Sequence, residues 1–196
     1  KFAPTQKTVN FGPQDIANVS DLIVRAAVEL PTAQASLHFE VERPSGEVIR
    51  LLPDQAFEFT SYVTETVDFR AVLNGTEKVS PILYPGVTLV LGTIRTTGTY
   101  ISRAFTMGTA IRLAVLINTK LPAGSTLTVE ADAADDDWKA VSLDSSTPLN
   151  DGWIEQQYEI DPHTAQEGRI RLTLTGGPGA RPSLYDLRAV SYVSSA

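Results

Sequence analysis

Apolar and polar residues alternate with a period of two in short runs along this chain, and clusters of Gly, Pro, Asn, Asp and Ser separate the runs. Val, Ile, Thr, Phe and Tyr dominate the runs, and a period of two sends successive side chains to opposite faces of an extended strand. The pattern predicts strands over residues 22–29, 36–42, 47–52, 67–73, 87–91, 100–105, 111–117, 126–131, 154–160, 169–175 and 187–193. No long segment keeps the apolar stripe of a helix. The nearest candidate covers residues 13–22, where Pro13 at a first helical position and Asp15 in the first turn suit a short helix as well as a loop. An all-β sandwich or barrel is the expected class.

The strand pattern repeats. Phe69-Arg-Ala-Val-Leu-Asn-Gly75 matches Ile170-Arg-Leu-Thr-Leu-Thr-Gly176, and Pro81 and Pro182 follow at the same distance, each leading to a Leu-Tyr pair, Leu83-Tyr84 and Leu184-Tyr185. Upstream, Ile23-Val-Arg-Ala-Ala-Val28 resembles Ala110-Ile-Arg-Leu-Ala-Val115, and a Leu-Pro follows each, at Leu30-Pro31 and Leu121-Pro122. Ser36-Leu-His-Phe-Glu40 and Thr126-Leu-Thr-Val-Glu130 share apolar and acidic positions. Four segments thus recur in one order at offsets of about 90 to 101 residues. The expected architecture is two tandem antiparallel β-sandwich units, jelly-roll or Ig-like, related by internal duplication and covering residues 1–91 and 92–196, with the boundary in the small, polar stretch around Gly92–Gly98. Pairing of both halves into one continuous sandwich is the alternative. The repeated glycines read as strand ends able to take positive φ, and the prolines as edge punctuation.

Composition narrows the chemistry. The chain has 16 Lys plus Arg against 23 Asp plus Glu, so its net charge is −7. The balance is −4 over residues 1–91 and −3 over residues 92–196, so neither half is specialised by charge. Phosphate backbones and anionic bilayers must be neutralised by cations, so neither nucleic acid nor membrane is an expected partner. No apolar run reaches the ~20 residues of a membrane-spanning helix, so membrane insertion is not expected. With no cysteine there is no disulfide, thiolate or Cys-ligated metal, and only His38 and His163 offer imidazole. The start at Lys1 suggests a piece cut from a longer chain, and nothing there reads as a secretory signal.

In the second half, Gly98-Thr-Tyr-Ile-Ser-Arg-Ala-Phe105, Leu121-Pro-Ala-Gly-Ser-Thr-Leu-Thr-Val-Glu130, Asp136-Asp-Trp138, Asp151-Gly-Trp-Ile-Glu155 and the stretch from Arg169 to Gly176, followed by Arg181-Pro182 and Leu187-Arg188, form a recurrent phrase. It resembles the β-sandwich modules of tailed-bacteriophage tail, baseplate and tail-fibre proteins, and the first half joins it through the internal repeat. The resemblance implies a non-enzymatic virion component displayed in several copies. Its partners would be other tail subunits, further copies of itself in a homo-oligomer, and host surface carbohydrate. The missing cysteines agree with assembly in a reducing host cytoplasm before release.

Few residues carry candidate chemistry. Asp132, Asp135, Asp136 and Asp137 crowd one hairpin connection, which reads as a solvated tip or as the nucleus of a calcium site, although the spacing is not that of an EF-hand. No cofactor other than calcium is suggested. Trp138, Trp153 and Tyr158, with Asp151 and Glu155 as polar neighbours, are candidates for a glycan-binding face, since exposed rings stack on sugars; the alternative is that these rings pack. No nucleophile elbow, zinc-protease helix or phosphate loop occurs, and no catalytic residue is assigned. His38 is expected on a strand facing solvent or a neighbour, and His163 in a turn after Asp161-Pro162. Asn18-Val-Ser20 and Asn74-Gly-Thr76 fit the N-glycosylation pattern, and Asn74-Gly75 reads better as a turn. Two functions remain: a structural tail module, or a glycan-binding module of a tail fibre or of a carbohydrate-active enzyme.

Overall fold

Alternating β-branched and aromatic residues with no Pro or Gly in most runs favour pleated, half-buried strands, and strands dominate the computed structural model, which describes residues 4–108, 110–132, 136–160 and 167–193. Every ladder between strands is antiparallel, and among the described residues there is no α-helix. Contacts divide the chain into two compact units, Lys1–Ile94 and Arg95–Ala196.

The first unit holds β1 (Pro4–Arg25), β2 (Val28–Glu29), β3 (Ser36–Glu42), β4 (Val48–Leu51), β5 (Ala56–Thr76), β6 (Ile82–Leu83) and β7 (Thr88–Gly92). Its sheet order is β4-β3-β5-β1-β7, with β2 and β6 paired separately. β1 and β5 are 22 and 21 residues long, well beyond a usual strand, and pair along nearly their whole length. Register shifts at Asn10/Gly12, Ile16/Val19 and Val19/Asp21 break this ladder, with Gly12 at φ 84° and Asn18 at φ 55°. Such bulges sharpen twist and bend, so one half of the pair carries β3 and the other carries β7. The bent sheet folds over one core in which Phe39, Val41 and Leu51 join Leu22, Val24, Val63 and Val67. A bridge from Val24 to Pro53 and a 2.8 Å bond from Asp54 N–H to the Val24 carbonyl close it. The segment 13–22, expected as a helix or loop, is therefore strand. Pro13 is accommodated just after a bulge, where β1 has no neighbour but β5 among the described residues.

The second unit holds β8 (Thr97–Ile101), β9 (Phe105–Thr106), β10 (Ala110–Lys120), β11 (Thr126–Asp132), β12 (Lys139–Ala140), β13 (Ser142–Pro148), β14 (Ile154–Ile160), β15 (Glu167–Thr175) and β16 (Ser183–Val193). Two sheets form, β12-β11-β15-β8 and β13-β14-β10-β16. Leu113, Val115, Ile117 and Tyr158 from one meet Val129, Ala131, Ile170 and Leu172 from the other. The order parallels that of the first unit. There β4-β3 and the C-terminal half of β5 beside the N-terminal half of β1 correspond to β12-β11-β15-β8, while the other halves of β5 and β1 beside β7 correspond to β14-β10-β16, and β13 has no counterpart among the described residues of the first unit. What the first unit makes from two long bent strands, the second makes from shorter ones.

The matched segments also share their chemistry. Glu40 faces Arg70 across β3 and β5, with Arg70 Nε 2.8 Å from Glu40 Oε2, and Glu130 faces Arg171 across β11 and β15 with two 2.6 Å bonds. After β5, Thr76 and Val79 exchange backbone bonds of 2.7 and 3.3 Å; after β15, Gly177 and Ala180 exchange bonds of 3.1 and 3.0 Å. The glycines before these turns, Gly75 and Gly176, do not take the positive φ expected of them. They are glycine because a Cβ would strike a carbonyl oxygen four residues on, Val79 in one unit and Ala180 in the other. Asn74 and Gly75, read as a turn, end β5 instead, and the turn follows them.

These two glycine environments make a sharp prediction. Gly176→Ala should destabilise by roughly 2 kcal/mol in urea unfolding, because the close approach must open. Gly177→Ala, whose Cβ meets nothing within 4 Å, should stay close to wild type. Equal effects at the two positions would show that the carbonyl contact is not what demands glycine.

Candidate functional site

Many charged side chains are engaged with partners of opposite sign. In the first unit Glu40 accepts from Arg70 and lies 3.1 Å from His38 Nε2, and Arg70 also reaches Glu42 at 2.6 Å. His38 is thus turned to its own strand's carboxylate. Arg43 bridges Glu65 at 2.6 Å and Glu47 at 2.7 Å. Burial pushes the Glu40 carboxyl up, but hydrogen bonds from Arg70 and His38 outweigh it and hold the group below its ordinary value. Arg171 does the same for Glu130 by hydrogen bonding.

Asp132 and Asp136 form a clamp with Arg169. Asp132 ends β11 with its carboxylate buried, and Arg169 in β15 grips it through Nε at 3.2 Å and Nη2 at 2.5 Å. Arg169 Nη2 also reaches Asp136 Oδ1 at 2.6 Å, while the Asp136 backbone N–H donates to Asp132 Oδ2 at 3.1 Å. Asp137 lies 3.5 Å from Lys139 Nζ. Asp135 and His163 lie outside the described residues. A calcium ion needs several free carboxylate oxygens, whereas those of Asp132 and Asp136 face a guanidinium, and no cluster of three or more His, Cys, Asp or Glu able to hold a metal occurs among the described residues. Trp138 lies beneath two guanidiniums, Arg171 at 4.5 Å and Arg169 at 5.3 Å from its ring centre. The ring caps the clamp.

Of the other aromatic candidates, Tyr158 is a correction. It is 6% exposed, packs in the core of the second unit and donates its hydroxyl to Gln156 Oε1 at 3.1 Å. The strand's period of two turns position 158 inward, so its ring offers no face to a ligand.

Trp153 and Asp151 meet in a cleft. Between β13 and β14 the chain makes one 3₁₀ turn, Asn150–Gly152, in which Asp151 and Gly152 take φ of 58° and 76°. Leu149 N–H donates to the Trp153 carbonyl at 2.8 Å, Trp153 N–H to the Asn150 carbonyl at 3.2 Å, and Lys120 Nζ to the Asp151 carbonyl at 3.1 Å. The turn is therefore pinned at both ends and on its flank. Trp153 stands edge-on to Tyr185 of β16, ring centres 4.6 Å apart at 85°. Pro148, Leu149, Asn150, Asp151, Trp153 and Tyr185 line an open cleft of about 590 Å³. Tyr185 was not among the sequence candidates, although its place in the repeated Leu-Tyr pair marked it. Beside the cleft, Glu155 pairs with Arg188 at 2.5 Å, and Arg188 with Asp186 at 3.4 Å.

Two further clefts lie at corresponding places in the units. One, of about 510 Å³, opens between Lys7, Val9 and Phe11 of β1 and the segment from Leu83 to Val87. The other, of about 410 Å³, opens between Tyr100 of β8, Phe105 and Met107 on one side and Leu187, Ala189 and Ser191 of β16 on the other. Both are the unsealed side of a sandwich, where the edge strands of facing sheets do not meet.

The depressed carboxyls set an acid dependence. Both Glu40 and Glu130 titrate lower folded than unfolded, so their contribution is complete above about pH 4.5 and is lost as pH falls through the lower folded values. Urea midpoints should hold level from neutral pH to about pH 5 and decline below about pH 4.5. Arg171→Gln should lower the neutral-pH midpoint and make the acid decline shallower; an unaltered decline would mean that the Glu130 pair does not contribute to it.

The chain matches no family model, no curated protein and no solved structure.

Proposed function

We propose that this protein is a non-enzymatic structural module of a bacteriophage tail or tail fibre, two tandem sandwiches derived by duplication, assembled with other tail subunits and with further copies of itself. The observation that carries this reading is the matched construction of the units: one strand order, one Glu–Arg pair in corresponding register and one glycine-carbonyl turn, present in both. A scaffold used twice, with its ionisable groups spent on neighbouring strands, suits a part that works by burial and contact. Residence in the virion, after assembly in the host cytoplasm, goes with it.

The cleft at Trp153 favours a second role for the same module, attachment to host surface glycans. An indole face and a tyrosine ring at right angles can hold the C–H face of a pyranose, and Asp151 and Asn150 on the rim offer partners for its hydroxyls. The pinned turn supports this role, because a rigid rim loses little entropy when a sugar binds.

A glycan array and a host-cell pull-down test attachment. The wild type should retain a host surface glycan, and Trp153→Ala should weaken that binding at least about tenfold, near 1.4 kcal/mol, with an unaltered circular dichroism spectrum. Trp138→Phe, on the capped clamp, should leave binding intact. If neither array nor cells retain the wild type, attachment is wrong and assembly alone is left.

A further inference from the structure

We propose that β8 is a homotypic interface strand, pairing antiparallel across a twofold axis at Thr99 with β8 of a second copy of this chain. The proposal rests on the homo-oligomeric reading above and names the surface that would serve it.

β8 pairs with β15 on one side and with nothing on the other among the described residues. The Ser102 N–H donates to the Ile170 carbonyl at 2.9 Å and the Gly176 N–H to the Thr96 carbonyl at 2.8 Å. Even-numbered residues therefore turn their backbone groups to β15, and the alternation of an antiparallel ladder leaves those of Thr97, Thr99 and Ile101 pointing out. Proteins blunt such edges with charge, proline or bulges. Of the edges longer than β8, β13 ends in Pro148, β16 carries Asp186 at φ 57° and Arg188, and the free part of β1 carries Lys7, Pro13 and a bulge, whereas β7, the edge of the same length, is as unguarded as β8. β8 reads Thr-Gly-Thr-Tyr-Ile and has none, while Tyr100 and Ile101 are 54% and 49% exposed.

The edge is complementary to itself. With Thr99 on the axis, Thr99 meets Thr99 of the second copy, Thr97 meets Ile101, and Gly98 meets Tyr100. The outward residues become the hydrogen-bonded pairs, and Gly98 and Tyr100 fall at the closer non-hydrogen-bonded positions. Space above Gly98 is open, with nothing within 4 Å of where a Cβ would stand, so the tyrosine ring of the other copy can lie on it. A ring covering a strand glycine, a Thr–Thr pair and a Thr–Ile pair are each favourable across strands. An isologous contact needs this self-matching, which a strand chosen for a different partner has no cause to show.

The absence of cysteine allows a clean test. Light scattering during size exclusion should give wild type an even number of copies. Thr99→Lys, which sets two ammonium groups against each other on the axis, should halve that mass. Under mild oxidation Thr99→Cys should form a covalent dimer, and Ser145→Cys on β13 should not. If Thr99→Lys fails to fold by circular dichroism, the cross-linking pair decides. A monomeric wild type would overturn both the homo-oligomeric reading and this interface. An oligomeric wild type whose Thr99→Cys variant does not cross-link would overturn the interface alone.

Discussion

Burial of alternate side chains between two facing sheets is the constraint from which the rest of this structure follows. A strand can supply such a core with only every second residue, so each unit needs two layers brought face to face, and the chain must pass from one layer to the other. The first unit does this by bending two long paired strands at bulges; the second breaks the same path into separate strands. Either way Phe39 and Val24, or Leu172 and Val115, end up fully or almost fully buried.

Once the layers are set, the outward positions of neighbouring strands stand opposite each other in pairs. Opposite charges there satisfy one another at short range, and like charges would repel. The Glu40–Arg70 and Glu130–Arg171 pairs occupy that position in each unit. Arg169 extends the same logic to the end of β11, where Asp132 is buried and its charge must be matched. These pairings give the carboxylates a structural task, and Asp132 and Asp136 are gripped by Arg169 beside the Trp138 ring.

Features open to a partner therefore lie where the sandwich stops. The Trp153–Tyr185 cleft sits on a turn at the end of a sheet, and β8 sits on a sheet edge with no further strand paired to it among the described residues. Turns escape the period-two rule and edge strands leave alternate backbone groups unpaired, so both can present rings and backbone groups that a core strand would bury.

Period-two alternation alone was enough to locate β3 and β14 with their true bounds, because side-chain alternation is a local property, and the recurrence of short segments aligned Glu40 with Glu130 and Arg70 with Arg171. It missed the N-terminal stretch of β1, which is too polar to look buried and is strand because β5 pairs with it. It also left three aromatic candidates undivided. Whether a ring is sealed in the core like Tyr158, stacked under guanidiniums like Trp138, or left at a cleft like Trp153 depends on which residues distant in the chain come to face it. The partners concerned, Arg169 and Arg171 for Trp138 and Tyr185 for Trp153, lie more than thirty residues away, so only packing of the sheets could bring them together.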